Sequence, residues 1–247
     1  MKASDLHLLK LLDIQPDKGS IRFRDRRMLL WDADAFGSLR QELIESLGAE
    51  RARPILKRFG FANGYRDARM AEGLFEWDDD KEWWLACPTL QRNEGKVHPR
   101  VLDLTVDKGS GSFEMKVEWD HSYEAEQHRR VFGRSEEPVC WTLTGYASGY
   151  ATALMGEECV VVETECVAMG APACKVHGMP RRAWGERGDE LSRDYQALPL
   201  AAELDERERE LQLEKERLDK RERELRELHL ASSPHALVAR STAMQNL

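Results

Sequence analysis

Four of the five cysteines, Cys140, Cys159, Cys166 and Cys174, crowd one short stretch, while Cys87 stands apart. In a chain read as cytoplasmic, an odd, clustered set points to thiols or metal ligands rather than a disulfide framework. Cys140, Cys166 and Cys174 fall on three different predicted elements, so one tetrahedral ion held by them would tie a domain together. The fourth ligand is open among Glu163, Glu165, His177 and Cys159. Cys174 and His177 are three residues apart, which on a regular strand puts them on opposite faces. Spacing alone serves equally well a set of small apolar core residues, a common place for free cysteine.

Trp84, Trp119, Tyr146 and Tyr150 could line a ligand pocket, although aromatics at strand and helix spacing also simply fill cores. His98, His121 and His128 lie among charged neighbours, and no Ser-His-Asp or Cys-His order suggests hydrolysis. Gly109-Ser110-Gly111 reads as a hairpin turn and not a phosphate loop, since no Lys-Ser/Thr pair and no helix follow it. A redox enzyme would need a dinucleotide fingerprint or a cluster-ligand run, and neither is present.

The elements that must position these residues follow from periodicity. Residues 5–14 read as a short apolar helix that has to pack on its own body or on a partner chain. An extended stretch runs over residues 21–31. Phe36, Leu39, Leu43 and Leu47 repeat at helical spacing up to Gly48, a C-cap. A second helix starts near Ala49 with Ile55, Leu56 and Phe59 inward, its far end left open by Gly60 and Gly64. Residues 101–106 and 113–119 form a hairpin, with Phe113, Met115, Val117 and Trp119 on one face and Glu114, Lys116 and Glu118 on the other. Small residues between Trp141 and Met155 suit a helix that approaches a neighbour closely. Residues 159–162 and 173–176 read as paired strands joined by a turn at residues 169–172.

Composition bounds the whole. The 247 residues carry 37 Lys and Arg against 45 Asp and Glu, a formal net charge of -8, which argues against a chain that coats nucleic acid. No apolar run approaches the roughly 20 residues of a membrane span, and the amino terminus lacks a secretory signal pattern. The excess of charge is local. Between residues 201 and 230 almost every residue is Glu, Arg, Lys, Asp or Leu, with Leu204, Leu211, Leu218 and Leu225 seven apart. One apolar position per heptad makes only a weak or conditional coiled coil.

The stretch from Pro138 through Cys140, Trp141, Gly145 and Tyr146 to Tyr150 resembles the aromatic-sensing, sigma-54-dependent transcriptional activators of the XylR/DmpR type. Residues 133–184 resemble their 4-vinyl-reductase-type domain, including Met155-Gly156, Glu163, Cys166, Cys174 and Ala183-Trp184-Gly185. Upstream, Arg27-Met28-Leu29, the run from Gly48 to Ala52, Leu85-Ala86 with Pro88, and Glu118-Trp119 with Ser122-Tyr123-Glu124 resemble the amino-terminal sensor region. Residues 240–245 look like the first residues of the activators' ATPase domain.

The resemblance implies an α+β fold: a mixed α/β sensor domain with a zinc-bound subdomain, followed by a helical linker. It divides the chain into a dimerisation segment (residues 1–19), an aromatic-sensing activator domain (20–132), a zinc-binding subdomain (133–196), a charged linker (197–232) and the start of an ATPase domain (233–247). It implies a structural Zn2+ on Cys140, Glu163, Cys166 and Cys174, and so selects Glu163 among the open ligands. The effector-binding residues are expected at Trp119, Gln91, Trp84, Val101, Tyr146 and Tyr150. Phenol-sensing members carry a His where this chain has Gln91, which cannot match imidazole geometry. A hydrocarbon or a larger substituted ring is then at least as suitable as phenol. The implied partners are a small aromatic effector, a second copy of the chain and the protein's own ATPase domain, with no direct DNA contact and no membrane. The implied role is regulatory rather than enzymatic: the module relieves its restraint of the ATPase when an aromatic binds. An enzyme acting on an aromatic, or a ligand-free dimerisation scaffold, would be the rival roles.

Overall fold

The computed structural model describes residues 1–24, 26–107, 109–196 and 213–226. Two units separate, Met1–Gln196 and Ala197–Leu247. In the second unit residues 213–226 are helical, with Leu218 and Leu225 exposed and Arg226 paired with Glu222 one turn away. Leu204, Leu211 and the rest of the charged stretch and of residues 233–247 lie outside the described residues.

The first unit begins with a departure from the periodicity. Residues 5–14 do not form one helix: a single turn, α1 (Leu8–Leu11), gives way to a strand, β1 (Leu12–Gln15). The chain turns at Pro16–Lys18, where Gly19 at φ 57° lets it reverse. β2 (Ser20–Phe23) then pairs antiparallel with β1 and with β3 (Arg26–Met28). Ladder hydrogen bonds across that turn outweigh the helical pattern of a short segment, which could not sustain a helix alone. The extended reading of residues 21–31 therefore covers two short strands, after which Leu29, Leu30 and Trp31 are exposed. Leu6 and Leu8 bury on the chain's own body, and the Ala3 N–H donates to Glu82 at 2.7 Å. Leu9 is 76% exposed and Ile14 54%.

α2 (Ala33–Leu47) starts at Asp32, whose side chain accepts the Ala35 N–H at 2.7 Å, and stops at Gly48 as its spacing predicts. Its buried positions are Gly37 and Arg40, whereas Leu39 of the predicted apolar stripe is half exposed. α3 (Ala49–Leu74) runs straight through Gly60 and Gly64, and Phe59, expected inward, faces out. α4 (Asp80–Asn93) is capped by Asp79.

β4 (His98–Asp107) and β5 (Ser112–Asp120) form the expected hairpin, with a bulge between Val101 and Asp103. Phe113, Val117 and Trp119 bury on one face, as the alternation requires. α5 (Tyr123–Phe132) follows, then α6 (Trp141–Met155), β6 (Cys159–Glu165), β7 (Cys174–Pro180) and α7 (Glu186–Ser192). The larger sheet is antiparallel in the order β4-β5-β7-β6. α6 packs against β6 and β7, α4 against β4, and α3 lies against the outer side of α6.

The α3–α6 contact explains the glycines. A Cβ at Gly60 would lie 2.1 Å from the Thr142 carbonyl oxygen, and one at Gly64 1.9 Å from that of Tyr146. Reciprocally, Gly145 meets the Lys57 carbonyl and Gly149 that of Phe61, each at 2.1 Å. Gly60 and Gly64 therefore mark a helix crossing and not a helix end. Gly64→Ala should lower the unfolding free energy by at least about 2 kcal/mol, because backbone rather than a side-chain tip must move. Gly73→Ala, with nothing within 4 Å of its Cβ, should leave stability unchanged or raise it by up to about 0.5 kcal/mol. Urea unfolding of both variants checks this, and equal effects would refute the crossing argument.

Candidate functional site

The cysteines converge because three chain reversals deliver them to one point. Cys140 precedes the first turn of α6, Glu163 lies in β6, Cys166 follows the end of that strand, and Cys174 opens β7. The turn between them folds back on the Cys166 carbonyl, which accepts the N–H groups of Met169 and Ala171, and Gly170 adopts φ 98° to close it. The four ligand atoms lie within 4.8 Å of one another, and all four residues are buried. Cys140 Sγ is 3.7 Å from Cys174 Sγ, which is 3.9 Å from Cys166 Sγ. A tetrahedral ion with metal–sulfur bonds of about 2.3 Å would set that edge at about 3.8 Å; a disulfide would need about 2 Å.

The electrostatics agree with the geometry. Burial, with Cys166 close by, pushes the Glu163 carboxyl up to about 8. Burial likewise pushes the Cys140 thiol up, while hydrogen bonds from Cys140 and Cys174 hold Cys166 low. Glu163 Oε2 accepts the Cys140 N–H at 2.9 Å, and its other oxygen is buried without a hydrogen-bond partner among the described residues. Three thiolates and a carboxylate in one dry cluster need a counter-cation, and a divalent ion would hold all four deprotonated. The donor set therefore fits a metal. The other ligand candidates lie elsewhere. His177 is on the opposite face of β7, its Nε2 2.8 Å from Glu114 Oε1. Glu165 pairs with Lys175, and Cys159 packs in a separate part of the core.

A second feature adjoins the cluster across the sheet. Trp119 of β5 sits directly opposite Cys174 of β7, and its ring forms one wall of an apolar cavity with Trp84 and Gln91 of α4, Val101 of β4 and Tyr150 of α6. Cys87, Leu104, Met115 and Ala147 complete the lining. The sequence pattern does not single them out for this place, since a wall needs small or flexible apolar residues and these occur throughout a core. The cavity holds about 30 Å³, against the roughly 150 Å³ of a dry cavity that takes benzene. Two donors in its walls, Trp84 Nε1 and Gln91 Nε2, are buried and lack a hydrogen-bond partner among the described residues. Tyr150 donates its hydroxyl to the Trp83 carbonyl at 3.2 Å.

Tyr146 is not in that lining. Its hydroxyl donates to Asp67 Oδ2 at 2.9 Å, and Asp67 also accepts from Arg26 at 2.6 Å. The Lys96 ammonium lies 4.4 Å from the centre of the Tyr146 ring. Neither Asp67 nor Arg26 carries a sequence signal, because a buried ion pair and a solvated one read alike.

No helix among the described residues is long and apolar enough to cross a membrane. Residues 7–107 match the family described as activators of aromatic catabolism, and residues 119–180 match the 4-vinyl-reductase-type domain. The chain is 36% identical over 186 residues to the phenol regulator MopR of Acinetobacter guillouiae, which covers 75% of this chain and 33% of that protein. It is 36% identical over 169 residues to the transcriptional regulatory protein XylR of Pseudomonas putida, covering 68% and 30% respectively. The chain thus spans about a third of the length of these curated relatives. Its fold is similar to the crystal structure of the phenol-responsive sensory domain of the transcription activator PoxR with phenol, at a TM-score of 0.75 and 36% identity, covering 79% of this chain and 96% of that one. A mixed helix and sheet architecture, both domain matches and a likeness that runs nearly the full length of that sensory domain lead to one conclusion: the chain belongs to the family of sensor modules of XylR/DmpR-type transcription activators.

Proposed function

We propose that this chain senses a small aromatic compound in the cavity between α4, the β4–β5 hairpin and α6, and so controls the ATPase of a longer sigma-54-dependent activator. The observation that carries the reading is a closed apolar cavity with two unpartnered donors, Trp84 Nε1 and Gln91 Nε2, in its walls. Apolar walls with a few polar groups are what a small-ligand site needs. The named relatives are regulators, which supports a non-catalytic role in the cytoplasm. A coupling of about 1–3 kcal/mol between cavity and ATPase suffices for a usable switch, and a charged linker over residues 197–232 suits it because its weak seam is made or broken at little cost.

An indole N–H only donates, whereas the Gln91 amide both donates and accepts. A ring without a polar substituent leaves both buried donors unpaired, which costs binding. This moves the expected effector away from a plain hydrocarbon and towards a ring bearing an acceptor oxygen. Calorimetric titration with phenol, a dimethylphenol and toluene should rank toluene last. Trp119→Ala should weaken every ring, and Gln91→His should shift preference towards phenol. Tyr146→Phe should keep ring affinity while lowering stability by about 1–3 kcal/mol, because Asp67 loses a buried donor. Trp119→Ala with normal affinity for all three would place the site elsewhere.

The metal is proposed to be a structural zinc on Cys140, Glu163, Cys166 and Cys174. Four protein ligands leave no open position for a substrate, so the ion supplies folding energy, on the order of 10 kcal/mol in small zinc domains. Elemental analysis should find about one zinc per chain. Cys166→Ser and Cys174→Ser should lose it and fail to accumulate as soluble protein, while His177→Ala should retain it. Well-folded protein without zinc would sink this assignment.

Residues 1–19 are proposed to contribute a homodimer contact. Leu6 and Leu8 serve the chain's own core, so the exposed Leu9 and Ile14 are the residues left for a partner. Replacing both by Glu should give a monomer by light scattering with the unfolding transition preserved; an intact dimer would move the interface away from this segment.

A further inference from the structure

Both flanks of Cys140 are gripped by one buried ion pair. Arg40 of α2 donates through Nη1 to Glu124 Oε1 at 2.9 Å and through Nη2 to the carbonyl of Val139, also at 2.9 Å. Glu124 of α5 accepts the Thr142 N–H at 3.0 Å and the Leu143 N–H at 2.9 Å, two of the free donors in the first turn of α6. Cys140 therefore sits between a carbonyl held by Arg40 and two amides held by Glu124. Ser122, which caps α5, brings Oγ within 3.1 Å of Cys140 Sγ. The Arg40 guanidinium also lies over the Trp141 ring at 4.1 Å. Arg40 is 4% exposed and Glu124 1%.

A buried ion pair is a weak device for stability, because desolvation offsets most of the attraction and an apolar pair of similar volume often does as well. What an apolar pair cannot do is grip a carbonyl and two amides of the same short segment. The segment gripped here, residues 139–143, carries the one metal-site ligand that comes from neither β6 nor β7 nor the turn between them.

We propose that Arg40 and Glu124 are positioning residues for the metal centre: they set the segment around Cys140 at the distance from β6 and β7 at which its sulfur completes the ligand set, with Ser122 directing a hydrogen bond to that sulfur. This rests on the structural-zinc reading above. It makes the placement of α2, a helix that contributes no ligand, a determinant of metal affinity.

The test is metal affinity of the full chain by chelator competition with zinc, together with the ligand-field and thiolate-to-metal absorption of the cobalt(II) form. Glu124→Gln should weaken zinc by about 10- to 100-fold and alter the cobalt spectrum. Arg40→Lys cannot hold both acceptors at once and should give an intermediate loss. Leu154→Ala, buried away from the cluster, should lower the melting temperature with zinc affinity and cobalt spectrum as in wild type. Should Glu124→Gln not fold, Ser122→Ala must weaken zinc several-fold with the ion pair intact. Wild-type affinity and spectrum in Glu124→Gln, or in Ser122→Ala if that variant decides, would overturn the positioning role alone. A wild-type chain that binds neither zinc nor cobalt would overturn the metal reading itself.

Discussion

Gly60 and Gly64 on α3, and Gly145 and Gly149 on α6, bring two helices so close that each backbone touches the carbonyl oxygens of the other. Such a contact tolerates no rotation, since turning α6 by one residue would drive a side chain into α3. With α6 locked about its axis, Tyr150 and Ala147 face the cavity, Tyr146 reaches Asp67, and Cys140 at its leading end points towards the cluster. The rest of the unit is arranged around a helix that has one permitted orientation.

The sheet carries that orientation onward. Because Trp119 pairs across from Cys174, one ladder position separates the cavity wall from a ligand of the cluster. A one-residue slip between β5 and β7 would turn Trp119 to the solvent face and break the wall. An ion that ties the start of β7 to β6 and to α6 guards against that slip, so the metal chemistry and the cavity are consequences of the same register.

Much of this is legible in the sequence, for identifiable reasons. The β5 alternation and the small-residue run in α6 are strong because each reflects burial along a whole element. Cysteine spacing narrows the cluster to three thiols and several fourth ligands, and the register of β6 and β7 then excludes His177. The failures are equally physical. Residues 12–15 read as helix because nothing local announces a strand whose partner lies past a turn. Leu39 and Phe59 follow helical spacing yet face out, since periodicity names a stripe but not what covers it. Arg40 and Glu124 are invisible as a pair because a buried charge declares itself only through its partner, 84 residues away.

The narrowness of the cavity has a consequence for what occupancy can report. At about 30 Å³ it is several times smaller than a ring requires, so an aromatic guest enters only by displacing the walls, and the work of that displacement is subtracted from its affinity. Tightness of binding and extent of rearrangement are then separate properties of a guest. A compact molecule that fits the existing space would occupy the cavity and leave α4 and the hairpin where they are, blocking without switching. A larger one would bind less tightly than its contact area suggests and move them further. Ranked by the motion they cause, guests would fall in a different order from their ranking by dissociation constant.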